Sequence, residues 1–134
     1  MGVDEIMIVA GVGCRRGAPA SDIEAAIRAA LARAKISEDA LDAVATIAGK
    51  SAEAGIKAAA EKLGVAVIPV SETEISAAGE RAQTRSARVL ALMGIPAVAE
   101  AAALAAAGPA ARLLGPRLAI GSATCALAAS GAAP

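Results

Sequence analysis

The chain contains no phenylalanine, tyrosine or tryptophan, and 41 of its 134 residues are alanine. Its core must therefore be filled by aliphatic side chains and by alanine methyl groups. Because small side chains let neighbouring elements approach closely, we expect thin and tightly spaced layers. A chain of this length is typical of one domain, and we predict a single domain over residues 1–134.

The residue types that are missing exclude several kinds of site. Without histidine the chain has neither a Ser–His–Asp triad nor an imidazole metal ligand, and its two cysteines are too few for a four-cysteine zinc site. No aromatic ring is available to stack on a base, and the formal net charge is zero. We therefore expect no metal site and no nucleic-acid partner.

Export and membrane insertion are also not indicated. Asp4 and Glu5 occupy positions where a signal peptide carries positive charge. The longest uncharged stretch, residues 118–134, is too short and too polar to span a bilayer. Cys14 and Cys125 lie far apart and imply no disulfide framework. We expect a cytoplasmic protein with free thiols and no membrane partner.

Short β-branched runs alternate with segments of helical periodicity in the first half of the chain. The runs predict strands over residues 6–10, 44–48 and 65–70. The spacing of Ser21 and Glu24 predicts a capping box at the start of a first helix, and a second helix is predicted over residues 52–63. Ser71 and Glu74 predict another capping box, which opens a short helix ending near residue 80.

The second half of the chain is predicted to form helices and then a hairpin. Helices are expected over residues 87–93, capped by Ser86, and over 98–107, with Pro96 in the first turn. Strands are expected over 112–118 and 122–128, joined by a turn at 119–121, and Gly115 before a proline favours a sheet edge. This order predicts an α/β fold, a three-layer α/β/α sandwich with a mainly parallel sheet of about five strands and a C-terminal antiparallel hairpin.

The strongest candidate site is the segment Gly11-Val12-Gly13-Cys14-Arg15-Arg16-Gly17, which follows the first predicted strand and precedes a helix. In open α/β sheets, ligands bind at the carboxyl edge, where we expect this segment to be a loop. Its glycines allow close backbone approach, and its amides together with Arg15 and Arg16 would bind an anion. It matches neither the dinucleotide fingerprint nor the P-loop. A tight turn with solvated arginines is an equally good interpretation.

Three further polar residues fall near the same predicted edge. Cys14 sits among arginines before a helix, a setting that favours the thiolate, so it is a candidate nucleophile without a histidine base; packing or ligand contact is the alternative. Lys50 could hold a carboxylate, and Glu53 could act as a base. A solvated lysine and a glutamate favoured by the helix dipole are the alternatives. We predict that Cys125 is buried packing.

The final third of the chain is basic, since residues 81–134 carry five arginines against the single carboxylate of Glu100. Arg85, Ser86 and Arg88 lie at a predicted helix start and could form a second anion anchor. Glu100 would then pair with an arginine and fix its rotamer. A solvated surface is the alternative for this cluster. Thr124 could present its hydroxyl to a ligand, although strand propensity explains it equally well.

Several of these segments together resemble one protein family. Residues 9–17 are similar to the opening of the CobE family and of the C-terminal domain of CbiG, both of cobalamin biosynthesis. Later agreements follow in order: residues 45–47, Lys50, Glu53, residues 86–89, 94–96 and 98–104, Arg117 and residues 124–128. At Arg117 the family leads us to expect a lysine. The resemblance covers almost the whole chain.

The resemblance implies a part in building the corrin ring. The ligand would be a precorrin or corrin intermediate, a tetrapyrrole whose acetate and propionate carboxylates suit arginines and backbone amides, and no separate cofactor is expected. We interpret the chain as a CobE-type protein that binds or hands on this intermediate, with other cobalamin-biosynthesis enzymes as further partners. Because histidine and tyrosine are absent, no axial ligand for cobalt is evident.

Two other interpretations stay open. The resemblance to CbiG, which opens a lactone on a cobalt-containing precorrin and releases a two-carbon fragment, would make the chain a hydrolase that uses Cys14, Lys50 and Glu53. A weaker alternative is that the glycine-rich segment binds a phosphate or a nucleotide.

Overall fold

The computed structural model describes residues 7–50, 53–79, 98–108, 111–115 and 117–130, with Lys50 and residues 76–79 described as backbone only. The helices within these ranges are α1 (Ala20–Ala34), α2 (Ala54–Leu63), α3 (Glu72–Gly79) and α4 (Val98–Ala107). The strands are β1 (Ile8–Cys14), β2 (Leu41–Ile47), β3 (Ala66–Val70), β4 (Arg112–Leu113), β5 (Leu118–Ile120) and β6 (Ala123–Ala129).

The strands form one sheet in the order β3-β2-β1-β6-β4, and β5 also pairs with β6. Strands β1, β2 and β3 are parallel, whereas β6 runs antiparallel to β1. Because β4 and β5 are both antiparallel to β6, they share the direction of β1 and lie end to end along the outer edge of β6. The expected α/β fold is confirmed, and the described sheet has six strands rather than about five.

Helices cover both faces of this sheet, as the predicted sandwich requires. The large buried side chains of α1 and α2, among them Ile23, Ile27 and Ile56, pack with Val12 and Val44 on one face. On the other face most of the buried core residues are alanines, four of them from α4 together with Ala45 of β2 and Ala128 of β6. None of the helices in the described part of the chain combines the length and the apolar composition that crossing a bilayer needs.

Two of the predicted helix starts differ in outcome. The capping box at Ser71 is confirmed, since the Glu74 carboxylate accepts from the Ser71 N–H at 3.0 Å and the Ser71 hydroxyl accepts from the Glu74 N–H at 3.1 Å. The one at Ser21 is wrong: α1 begins at Ala20, and its N-cap is Pro19, which makes no side-chain cap bond. Proline already holds the extended φ of −70° that precedes a helix.

The first strand is longer than predicted. It extends through Cys14 because it pairs with β6 over its full length, from Ile8 opposite Ala129 to Cys14 opposite Ala123. The expectation that Gly11, Gly13 and Cys14 belong to a loop is therefore wrong, and the loop at this edge begins at Arg15. Pairing with β6 satisfies the backbone hydrogen bonds that these residues would leave open in a loop.

The C-terminal hairpin also differs from the expectation. The predicted strand over residues 112–118 is two strands, because Gly115, at φ 152°, interrupts it. The predicted edge position is confirmed, since β4 and β5 pair with β6 alone among the described strands. The turn predicted at 119–121 is wrong: Ala119 pairs with Thr124, and Gly121 and Ser122 form the turn. The helix predicted over 87–93 and the role of Pro96 lie outside the described residues.

Candidate functional site

A cavity of about 520 Å³ lies at the C-terminal ends of β1 and β2. This is the carboxyl edge at which open α/β sheets bind ligands, and the volume is in the range of small-molecule sites. Its wall combines backbone, small side chains, two arginines and one thiol. The lining residues are Gly13, Cys14, Arg15, Thr46, Ile47, Val98, Ala99, Arg117, Ala119, Gly121, Ser122, Ala123 and Thr124.

Gly11 explains why the start of α4 reaches this cavity. A β-carbon at Gly11 would collide with the carbonyl oxygen of Ala99 and would lie 2.7 Å from the Ala103 nitrogen. The helix backbone therefore packs directly on the strand, and Val98 and Ala99 line the cavity. The glycine serves helix packing rather than ligand approach, which is a role that the loop interpretation missed.

Two threonine hydroxyls hold the end of β1. Thr46 is fully buried and donates its hydroxyl hydrogen bond to the Val12 carbonyl oxygen at 2.8 Å. Thr124 donates to the Gly13 carbonyl oxygen at 3.3 Å, so its hydroxyl is engaged with the strand as it lines the cavity. Thr46 was not among the predicted site residues. Its signal is a hydroxyl within the predicted strand 44–48, whose other residues are apolar, so that burial requires a hydrogen-bond partner.

Arg15 is the first residue of the loop that follows β1. Its backbone N–H donates to the Ser122 carbonyl oxygen at 3.1 Å, which ties the loop to the β5–β6 turn. The side chain is exposed at the cavity, and no ion pair found among the described residues includes it. Arg16 is exposed beside it and does not contribute to the described cavity wall.

Arg117 is the second arginine of the cavity, and it is paired with Glu100. The Glu100 side chain is 0% exposed, and its Oε2 accepts from the Arg117 backbone N–H at 3.3 Å. The Oε1 atom lies 3.8 Å from Nη1 of the Arg117 guanidinium, which is 28% exposed. The expected pairing of Glu100 with an arginine is confirmed, with Arg117 as the partner. The position of Glu100 in the first turn of α4 also suits a carboxylate.

Glu53 and Gly17 fix the other end of the loop. Glu53 is the N-cap residue of α2, and its Oε1 accepts from the Gly17 N–H at 3.0 Å. Gly17 has φ 76°, a conformation that favours glycine. Glu53 thus holds the loop and is absent from the described cavity wall. Lys50 lies in the 3₁₀ turn Ala48–Lys50 after β2, close to Glu53 in sequence.

The predicted second anchor at Arg85, Ser86 and Arg88 lies outside the described residues and stays a prediction. The pairing that Glu100 was expected to contribute to that anchor is made instead with Arg117, on the wall of the cavity described above.

The two cysteines have different surroundings. Cys14 and Cys125 form no disulfide bond, as expected. Cys125 is fully buried, and burial raises its pKa to about 12, only partly opposed by the charge of Arg33. It is therefore a packing residue, which confirms the prediction. Cys14 is partly buried and lines the cavity.

Comparison with known proteins gives a consistent result. The family model described as cobalamin synthesis G C-terminus matches residues 8–128. Protein CobE from a Sinorhizobium species is 35% identical over 121 residues, which cover 90% of this chain and 79% of that protein.

Three solved structures are similar to this chain. The crystal structure of CobE, described as a protein from the cobalamin (vitamin B12) biosynthetic pathway, has a TM-score of 0.80 at 36% identity and covers 92% of this chain and 90% of its own. The cobalamin biosynthesis protein ChiG from Agrobacterium tumefaciens has a TM-score of 0.72 at 42% identity, with 91% and 97% covered. A cobalamin biosynthesis protein G homolog from Sulfolobus solfataricus has a TM-score of 0.72 at 24% identity, with 93% and 37% covered, and supports the fold alone.

Proposed function

The chain belongs to the cobalamin synthesis G C-terminus family, a family of cobalamin biosynthesis, and from this we propose that it binds a corrin-ring intermediate in the cavity at the carboxyl edge of its sheet. The protein then holds or hands on the intermediate. One observation carries the proposal: Arg15 and Arg117 share the wall of a cavity whose other side chains are mostly small and apolar.

The chemistry of the ligand fits this wall. A corrin intermediate has a flat apolar ring with acetate and propionate carboxylates around its edge. Guanidinium groups bind carboxylates through charge-assisted hydrogen bonds, and methyl groups such as those of Val98 and Ala119 can contact the ring. Recognition in this form uses the periphery of the ring, so it requires neither an axial ligand to cobalt nor a separate cofactor.

The two arginines have different parts in this proposal. Arg15 contributes an exposed positive charge, whereas the charge of Arg117 is balanced by buried Glu100. The 3.8 Å separation in that pair is longer than a hydrogen bond, so the guanidinium can direct N–H groups to a ligand while the carboxylate keeps its position. Arg15 therefore supplies most of the attraction, and Arg117 supplies orientation.

The binding proposal is tested by titration of the protein with purified corrin intermediates, followed by visible absorption. We expect a saturable spectral change without product. The double substitution Arg15→Ala and Arg16→Ala should weaken binding by about 1.5–3 kcal/mol, the contribution of one guanidinium bond, because only Arg15 of the two lines the described cavity.

Arg112→Ala is the matched control. Arg112 is an exposed arginine on β4, opposite Ala129 and thus at the far end of β6 from the cavity. The Arg112→Ala variant should bind the corrin intermediate with the affinity of the unmodified protein. Equal affinity of the double variant and the unmodified protein would remove Arg15 and Arg16 from the site.

Hydrolysis of a precorrin lactone is a second candidate function, and the position of Cys14 on the cavity wall favours it. Against it, the proposed base Glu53 accepts a hydrogen bond from Gly17 and does not line the described cavity. We predict that Cys14→Ser folds and still binds, because no suitable base for the thiol lies on that wall.

Intact mass and product analysis decide between the two functions. Binding after which the intermediate is recovered chemically unchanged supports a carrier. A released two-carbon fragment, or a thioester on Cys14 detected by intact mass, would establish the hydrolase instead.

A further inference from the structure

We propose that Asp22, at the start of α1, is a positioning residue for the cavity: it holds the turn between β5 and β6, and through this turn it holds Arg15. The contacts are independent of the ligand, whereas their effect on binding rests on the proposed function.

The carboxylate of Asp22 lies directly on the turn. Its Oδ2 accepts from the Ser122 N–H at 3.0 Å and from the Ser122 hydroxyl at 2.8 Å. A β-carbon at Gly121 would lie 2.5 Å from the same oxygen, so the turn offers the carboxylate a close approach that only glycine permits. One side chain of α1 thus binds Ser122 and occupies the space beside Gly121.

The β5–β6 turn also holds the loop that begins at Arg15. The Ser122 carbonyl oxygen accepts from the Arg15 backbone N–H at 3.1 Å. Ser122, Gly121 and Arg15 all line the cavity, whereas Asp22 does not contribute to its described wall. Asp22 therefore acts through its neighbours. A shift of the turn would move the backbone from which the Arg15 side chain projects.

A carboxylate in the first turn of a helix has an ordinary explanation, the helix dipole, which requires no partner. The helix dipole alone does not explain Asp22, because both of its described hydrogen bonds come from Ser122, 100 positions away in the sequence. The pKa of Asp22 is lowered chiefly by the Ser122 backbone hydrogen bond and then by the hydroxyl. The hydrogen bonds from Ser122 therefore stabilise the ionised form of the Asp22 carboxylate.

Asp42 offers a matched control. Its Oδ2 accepts from the Ile8 N–H at 2.8 Å, which is also a long-range bond from a carboxylate to a backbone amide. Ile8 is the first residue of β1, at the opposite end of the strand from Arg15. Each substitution deletes a bond between a carboxylate and a backbone amide, and Asp22→Ala also deletes the bond from the Ser122 hydroxyl. Ser122 lines the described cavity, whereas Ile8 does not.

The experiment compares Asp22→Ala with Asp42→Ala. The binding probe is uroporphyrin, a porphyrin with acetate and propionate arms, titrated by visible absorption. We expect Asp22→Ala to weaken probe binding about tenfold. This is the effect expected when the loss of one hydrogen bond leaves Arg15 less well positioned for binding. Asp42→Ala should leave the affinity unchanged, although both variants lower the melting temperature. Asp22→Asn keeps one acceptor oxygen and should recover part of the affinity, and it replaces Asp22→Ala if that variant does not fold.

A second readout does not depend on the ligand. Hydrogen exchange of the Arg15 amide should accelerate in Asp22→Ala and stay unchanged in Asp42→Ala. If both variants leave Arg15 exchange unchanged, or if both weaken probe binding equally, the positioning role is wrong. If the unmodified protein does not bind the probe while Arg15 exchange responds to Asp22 alone, the binding proposal fails for this probe and the positioning role stands.

Discussion

The two faces of the sheet are packed in different ways. On one face, α1 and α2 contribute large aliphatic side chains such as Ile27 and Leu31. On the other, α4 lies against the strands through alanines and through the missing side chain of Gly11. The comparison teaches that the first face buries a large apolar area, whereas on the second face small side chains let the backbone of α4 lie close to the strands. Proximity is what brings Val98 and Ala99 to the cavity.

The largest effect is expected from Gly11→Ala. The added methyl group meets the backbone carbonyl of Ala99, which no side-chain rotation can move away. We expect a loss of about 3 kcal/mol or more in the free energy of unfolding, or failure to fold, because overpacking against backbone forces the helix outward. Urea denaturation measures this loss in the free energy of unfolding.

Gly49→Ala is the control for this substitution. A β-carbon at Gly49 would meet nothing within 4 Å. Its stability should stay within about 0.5 kcal/mol of the unmodified protein. A similar loss in both variants would show that close packing of α4 is not the cause.

A smaller effect is expected on the aliphatic face. Ile27→Val removes one buried methylene group from α1 and should cost about 0.5–1.5 kcal/mol. Since Ile27 does not line the described cavity, probe binding should be unchanged. An equal loss of affinity and stability would contradict the separation of roles between the two faces.

A modest effect on stability, together with an effect on binding, is expected from Gly13→Ala. Its β-carbon would lie 3.0 Å from the Thr124 hydroxyl oxygen, and that side chain can shift. We expect a cost of about 1 kcal/mol together with weaker probe binding, because the methyl group enters the cavity. Unchanged affinity in a folded variant would indicate that the ligand does not reach Gly13.

The order of strands and helices could be predicted because its signals are local. The capping box at Ser71 and the end of the second helix at residue 63 depend on residues that are close in sequence, and both are confirmed. The role of Gly11 could not be predicted in this way. A glycine-rich segment after a strand suits a loop or a closely packed strand, and the choice depends on α4, far along the chain.

The residues of the site could likewise be predicted only in part. The charge count of the last third predicted that Glu100 pairs with an arginine, but it could not decide which arginine, because pairing depends on tertiary geometry. Arg15 was predicted from the glycine-rich segment that follows the first strand, and it lies on the wall of the described cavity. The bond between Asp22 and Ser122 has no sequence signal, since either residue alone has an ordinary local explanation.

The position of β6 has a consequence for how the molecule assembles. The last strand to be synthesised among those described inserts beside the first, and Ser130 and Met7 exchange hydrogen bonds through the Ser130 hydroxyl and N–H. Such distant pairing closes a long loop, which makes it a slow step in folding. While β6 is still on the ribosome, β1 exposes an open edge that could pair with other chains. The cavity therefore cannot form until Ala123 and Thr124 of β6 have left the ribosome, and until then β1 keeps an unpaired edge.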